Sequence, residues 1–235
     1  MKVTVRWLGH AFVELRTEDG KVILFDPWTK DDGNPACPIG IGEITQADLI
    51  LVSHDHHDHI GSVPAIASKT GALVGGPVQT IRRLIGEGLI PEDKGVNFGF
   101  GYMVGGGTDL DWVKVVATPA FHSSDSACAL GNIAILKGGP TVYHAGDTAI
   151  FSEMEIYGRL YPIDLALLPI GGTFTMDARQ AAEAVSMLRP GRVMPIHYAS
   201  FPIVAKTADE FTAYCKKQNP EVEVFSPSAG ESVTI

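Results

Sequence analysis

Cysteine is scarce in this 235-residue chain: Cys37, Cys128 and Cys215 are odd in number and far apart. That excludes a disulfide framework and a paired-thiolate zinc site, and a reducing, cytoplasmic setting is the expectation. Long apolar runs are missing too. None approaches the roughly 20 residues of a membrane-spanning helix, and Met1–Trp7 has neither the apolar core nor the small-residue cleavage site of a secretion signal. No membrane insertion is expected. Charged residues make up only 19% of the chain, with a formal net charge of −9 and no run of Lys or Arg. A nucleic-acid backbone is therefore a poor partner and a small molecule the better one. Low-complexity tracts and linkers are absent as well, so residues 1–235 read as one domain, and 45% hydrophobic residues suffice for a substantial core. A homo-oligomer is compatible with this composition, because the apolar patches that decide assembly exist only in three dimensions.

What is present is a series of short β-branched and apolar runs closed by Gly, Pro, Asp or Asn. Val3–Leu8, Phe12–Arg16 and Val22–Phe25 predict a meander, with Asp19-Gly20 as a two-residue hairpin turn. The continuous run around Leu49–Ser53 predicts a strand buried on both faces. Ile60–Lys69 and Pro77–Gly86 are helix-like, and strand-like material returns over 96–116. A second series follows, with strands at Ala127–Leu136, Thr141–His144, Leu165–Pro169 and Val193–Ile196. Between and after them, Ser152–Glu155 and Thr207–Glu210 match capping boxes, and a helix over Asp177–Leu188 stops at Arg189-Pro190-Gly191. The two halves share a plan of strands first and helices after, which two packed sheets with helices outside would accommodate. Asp31–Gly42, rich in Gly and Pro, reads as a surface loop near the site.

The chemistry concentrates in His54-Asp55-His56-His57-Asp58-His59, which follows the buried strand directly. The carboxyl end of a strand is where open α/β sheets bind ligands. His54 and His56, two apart in an extended stretch, can offer ring nitrogens to one ion, and Asp58 and His59 can face a second as the chain turns into a helix. A solvated polar loop explains one His-x-His; six ionisable residues beside a buried strand are costly to desolvate without a partner, and a metal is the usual one.

His-x-His-x-Asp-His, here His54, His56, Asp58 and His59, resembles the signature of the metallo-β-lactamase superfamily. Matching later ligands follow in Pro119–Ser124 (His122), His144–Thr148 (Asp147) and Met194–Tyr198 (His197). Trp7–Ala11, Asp26-Pro27-Trp28, His-Ala-Gly-Asp-Thr and Pro195–Tyr198 look most like its "metal-dependent hydrolase" branch, which is similar to L-ascorbate-6-phosphate lactonase and N-acyl-phosphatidylethanolamine phospholipase D. The resemblance implies an α/β (α+β) four-layer αββα sandwich with the site at one sheet edge. It implies two divalent metal ions, one on His54, His56 and His122, the other on Asp58, His59 and His197, with Asp147 bridging. Zinc is the first choice, while manganese and iron accept the same donors. Asp58, Asp147 and His197 are then the catalytic set, and a water held between the ions attacks a small ester, lactone or phosphodiester.

Around these ligands stand His10, lining the pocket or closing a turn; Asp26 and His144, supporting ligands; and His57, turned outward. Thr148 and Tyr198 flank ligands and either contact substrate or simply pack, and Phe174, Thr175 and Met176 are expected in a loop near the pocket. A non-catalytic metal sensor or scaffold, or a nuclease, remains the rival reading, because a fold does not decide a function.

Overall fold

The computed structural model describes residues 1–235. Along the chain come β1 (Val3–Trp7), β2 (Val13–Thr17), β3 (Val22–Phe25), β4 (Leu49–Leu51), α1 (His57–Ile60), α2 (Val63–Thr70), β5 (Leu73–Gly75), α3 (Val78–Gly86), α4 (Val96–Gly99), β6 (Gly107–Asp109) and β7 (Val113–Pro119). The second half adds β8 (Leu130–Leu136), β9 (Thr141–His144), α5 (Met154–Leu160), β10 (Leu165–Pro169), α6 (Ala178–Leu188), β11 (Arg192–Ile196), α7 (Asp209–Gln218), β12 (Glu223–Val224) and β13 (Ser232–Thr234).

Burial periodicity sorts these elements into layers. In β1 and β2 every second side chain is buried, whereas β3 and β4 are buried on both faces. Ile23, Phe25, Leu49 and Leu51 join the larger core, and Val22, Leu24 and Ile50 join a smaller one with Ile66 of α2 and Ile81 and Leu84 of α3. The two-residue period of a strand thus divides one apolar run between the sheet-to-sheet interior and an outer helix layer. One sheet has the order β13-β1-β2-β3-β4-β5 and the other β12-β11-β10-β9-β8-β7-β6. Each is antiparallel at one side and parallel at the other. Ala181, Ala184, Val185 and Leu188 of α6, with Phe211 and Cys215 of α7, pack on the second sheet. The result is the αββα sandwich of the metallo-β-lactamase fold.

Close packing in the outer layer depends on Gly158 of α5. A Cβ there would lie 2.4 Å from the Leu188 carbonyl oxygen at the end of α6. Gly158→Ala is expected to cost about 1–3 kcal/mol by overpacking, and calorimetry should find Tm lower by roughly 2–4 °C per kcal/mol in a chain of this size.

Several local expectations are corrected. The β2–β3 turn has three residues, not two: Thr17 N–H reaches the Lys21 carbonyl at 2.9 Å and Gly20 takes φ 90°, the left-handed position of a longer hairpin loop. The strand expected over 96–116 begins only at Gly107, because Gly99, Gly101, Gly105 and Gly106 interrupt it. Asn97 and Phe98 instead sit in left-handed turns at φ 53° and 59°. The strand expected from Ala127 starts at Leu130. Neither expected capping box forms, since Ser152 bonds Glu153 and Thr207 bonds Asp209. The box forms at Asp177, whose carboxylate accepts the Gln180 N–H at 2.8 Å while the Gln180 side chain accepts the Asp177 N–H at 3.1 Å. The short strands β5, β12 and β13 carry too little pattern to stand out in sequence.

Candidate metal centre

Both sheets deliver their ionisable residues to one edge. His54 follows β4, His122 follows β7, Asp147 follows β9 and His197 follows β11, so four chain segments distant in sequence converge. The parallel run β9–β10–β11 explains part of this, since neighbouring parallel strands end on the same side.

Donor atoms fall into three groups, the atoms of each lying within 4.8 Å of one another: His54, His56 and His122; His54, His59 and Asp147; and His10, Asp58, His59 and His197. Asp147 sits between them, its Oδ2 lying 2.9 Å from His197 Nε2, 3.4 Å from His59 Nε2 and 3.5 Å from His122 Nε2. All seven residues singled out as ligands in the sequence are brought together. His54 Nε2 and His56 Nδ1 face each other at 3.0 Å.

The surrounding hydrogen bonds set which ring nitrogens face the basin. Asp26 Oδ1 accepts the Ser53 N–H at 2.7 Å and its Oδ2 accepts the Ser53 hydroxyl at 2.6 Å. The same Oδ2 lies 2.8 Å from His59 Nδ1, and Ser53 Oγ lies 2.9 Å from His54 Nδ1. A proton on each Nδ1 leaves the Nε2 lone pairs of His54 and His59 directed inward, as metal coordination requires. His10 stands behind Asp58, with Nε2 3.0 Å from Asp58 Oδ2 and Nδ1 2.7 Å from Ser200 Oγ. It neither lines the cavity nor merely closes a turn; it orients a carboxylate.

Backbone conformation carries part of the arrangement. His10, Asp26, His197 and Ala199 all take left-handed φ, between 44° and 59°. Such conformations persist where surrounding structure over-determines them, and here the His197 N–H donates to the His10 carbonyl at 2.9 Å. Gly146, at φ 63°, precedes Asp147, and a Cβ there would lie 2.7 Å from Ser53 Cβ, so only glycine lets the Asp147 loop meet the His54 loop.

Charge and burial act in opposition. Burial pushes His54 down to about 3, helped by the neighbouring His59 charge, so this ring is neutral near neutral pH. Burial also disfavours charge on His59, but Asp147 and Asp26 more than offset it and hold its pKa well above the usual histidine range. For Asp147, burial favours the neutral acid, yet His197 and His59 hold the carboxyl well below the usual range. His59 Nε2 and Asp147 Oδ1 are buried without hydrogen-bond partners. Inward-facing, unpaired imidazole and carboxylate donors are the atoms a divalent cation would satisfy, so the residues fit the metals expected of them.

Other expectations resolve residue by residue. His144 receives the Gly146 N–H at 3.1 Å and its Nδ1 lies 3.9 Å from Asp26 Oδ2, a supporting position. His57 is exposed, donating to the Asp32 carbonyl at 3.1 Å. Thr148 is fully buried and receives the Phe121 N–H at 3.0 Å, so it positions the His122 loop by packing within the protein. Tyr198 stacks on Trp7 at 4.7 Å, which is packing. Of Phe174, Thr175 and Met176, only Phe174 reaches the cavity. The Asp31–Gly42 loop anchors itself in the smaller core through Cys37 and Ile39, and the cavity walls come from elsewhere.

Sequence reasoning passed over Asp55, which it treated as a spacer in the motif. Its carboxylate accepts from Ser124 Oγ at 2.5 Å, Asp125 N at 2.8 Å, Ser126 N at 3.2 Å and Ser126 Oγ, and Arg83 lies 3.3 Å away. Burial would raise its pKa, but the bonds from Ser124 and Ser126 hold it below the usual range. Asp55 therefore pins the loop carrying His122 to the loop carrying His54 and His56. The one sequence signal was the hydroxyl-rich Ser123-Ser124-Asp125-Ser126. Asp55→Ala is expected to weaken metal retention by about 10–100-fold, as loss of a group behind a ligand does, read by competition with a chelator; wild-type affinity in the variant would refute the role.

With this geometry established, comparison with known proteins is decisive about kinship. A model of the beta-lactamase superfamily domain matches residues 21–198. The chain is 43% identical over 235 residues to a UPF0173 metal-dependent hydrolase of Nitratidesulfovibrio vulgaris, covering 100% of this chain and 96% of that one. It is 44% identical over 239 residues to a UPF0173 metal-dependent hydrolase of Thermococcus onnurineus, covering 99% and 100%. Among solved structures, Igni18, a metallo hydrolase from Ignicoccus hospitalis, superposes with a TM-score of 0.89 at 34% identity, covering 100% of this chain and 99% of that one. The chain therefore belongs to the beta-lactamase superfamily and, within it, to the UPF0173 metal-dependent hydrolases.

Proposed function

We propose that this chain hydrolyses a small ester, lactone or phosphodiester at a centre of two divalent cations, zinc first among them. His54, His56 and His122 would hold one, and Asp58, His59 and His197 the other. The observation that carries this reading is Asp147, a buried carboxylate within 3.5 Å of His59, His122 and His197 at once. When bound, such ions lower the pKa of a water to roughly 7 and polarise the scissile group.

The chain's own contribution is orientation and charge. Asp26 and Ser53 fix the tautomers of His59 and His54, His10 holds Asp58, and Asp147 would supply an anion to offset the charge of the cations. Asp58 is one-quarter exposed to the cavity; burial would raise its pKa, but the His10 hydrogen bond holds the carboxyl below the usual range, ionised as a cation ligand must be. The reading takes residues 1–235 as one hydrolase domain, since ligand-bearing loops leave both sheets. Three free cysteines accord with a reducing, cytoplasmic setting, and no helix is long and apolar enough to cross a membrane.

The test is metal analysis of protein purified anaerobically without chelators, coupled to a panel of phosphodiester, lactone and thioester substrates. About two transition-metal ions per chain and turnover of one class are expected. Absence of metal would sink the reading; two bound metals with no turnover on any class would favour a scaffold. A pH series adds a signed expectation. Because His59 is raised above 6.5, the stability it lends chelator-treated protein is complete below that value and is lost as pH rises through the raised pKa. Metal affinity runs the other way, weakening as pH falls, because each uptake must displace the His59 proton. Calorimetric titration of zinc at several pH values reads both the affinity and the proton released.

A further inference from the structure

The cavity over the metal centre, about 510 Å³, is divided in character. Its floor is His56, Asp58, His122, Asp147 and His197, with Ser123 beside them. Its wall is Phe174, Phe201, Pro202 and Ile203. Phe174 and Ile203 are 56% and 58% exposed, large apolar side chains held in water beside reacting groups when the core could have taken them. Exposed apolar surface gathered at a cleft marks a binding site.

That wall is built, not loose. The Thr173 hydroxyl donates to the Ile203 carbonyl at 2.9 Å, Ala205 N–H to Gly171 O at 3.1 Å, and Ala199 N–H to Ala205 O at 2.8 Å. Phe201 stacks on Trp28 at 5.6 Å and meets the edge of His10 at 5.4 Å. The loops after β10 and β11 therefore present a preformed apolar face. No lysine or arginine lines the cavity. Lys206, on the same loop, is engaged by the Phe201 carbonyl at 2.9 Å. A phosphate or carboxylate remote from the metals would meet phenyl and alkyl groups and lose its hydration without a partner.

We infer that the substrate carries an uncharged, apolar group next to the scissile bond, seated on Phe174, Phe201, Pro202 and Ile203. The inference rests on the hydrolase reading for the position of the scissile bond, but its test does not need turnover. Two hydroxamic acids with the same metal-seeking head are titrated calorimetrically into zinc-loaded protein: 3-phenylpropanohydroxamic acid and 3-carboxypropanohydroxamic acid. The phenyl compound is expected to bind at least about tenfold tighter, the scale of burying one such group. In Phe174→Ala/Ile203→Ala the preference should fall to within about threefold, with metal content measured alongside. Ile203→Lys should raise the affinity of the carboxylate compound.

Equal or tighter binding of the carboxylate by the wild type, a preference that survives the double substitution, or no binding of either compound overturns the inference. The two readings fail separately. A substrate panel without turnover, alongside a retained phenyl preference, removes the catalytic reading and leaves the apolar seat. Turnover that favours anionic substrates does the reverse.

Discussion

Asp147→Ala is expected to lower hydrolysis on the order of 10³-fold or more, the scale seen when a central catalytic group is removed, and to reduce bound metal to one ion or fewer. Asp147 Oδ2 is the point closest to the histidines of both groups, at 2.9 Å from His197 and 3.4 and 3.5 Å from His59 and His122. Without it, the two cations of the proposed centre would have only Asp58 among neutral rings to offset their repulsion. The fold should survive, because the Asp147 side chain bonds no backbone group and its neighbours are loops, not core. Circular dichroism of chelator-treated protein should stay close to wild type, with the melting temperature changed only by loss of the His59–Asp147 pairing, while metal analysis and turnover collapse. Asp147→Asn separates charge from shape: the amide keeps the volume but cannot supply the anion, so it should resemble the alanine variant. Wild-type metal content and turnover in either protein would end the bridging role.

Asp26→Asn should produce the second-largest loss, although Asp26 lies outside the ligand groups. Its two oxygens accept three hydrogen bonds, from Ser53 N, Ser53 Oγ and His59 Nδ1, at 2.6–2.8 Å. Burial opposes its charge, yet His59 holds its carboxyl below the usual range. An amide at this position has only one accepting oxygen. If its NH₂ turns to His59, the ring must accept at Nδ1 and carry its proton on Nε2, which then points a hydrogen at the cation. Metal affinity should fall by roughly 10–100-fold, measured by chelator competition. Asp26→Ala should add a stability loss of about 1–3 kcal/mol, because the Ser53 N–H is left buried and unpaired. Affinity within twofold of wild type for Asp26→Asn would refute the tautomer argument.

How much of this was legible before folding depends on how local each signal is. The plan of two packed sheets with helices outside was legible locally, because Val22–Phe25 and Leu49–Leu51 are continuous apolar runs and such runs are strands between two covered faces; the αββα sandwich itself was implied by the family resemblance. The candidate ligands after β4 were legible because His, Asp and their spacing are distinctive in themselves, the other three came with the family resemblance, and all seven converge. Misreadings fell where one segment's outcome depends on another. Ser152–Glu155 and Thr207–Glu210 have capping-box letters, but their side chains found nearer partners. Glycines between Gly99 and Gly107 broke a strand that composition alone had extended.

The sequence by itself marked His54, His56, Asp58 and His59 as a candidate metal-binding set, and the family resemblance added His122, Asp147 and His197, since donor chemistry is a property of side chains and survives any fold. Tertiary structure alone decided that Ser53 and His10 hold His54 and Asp58 in place, and that Asp55 joins two loops 69 residues apart. It alone placed Phe174 and Ile203 across from the donors. These are relations between segments distant in the chain, set by which strands lie side by side, and no local pattern of residues encodes them.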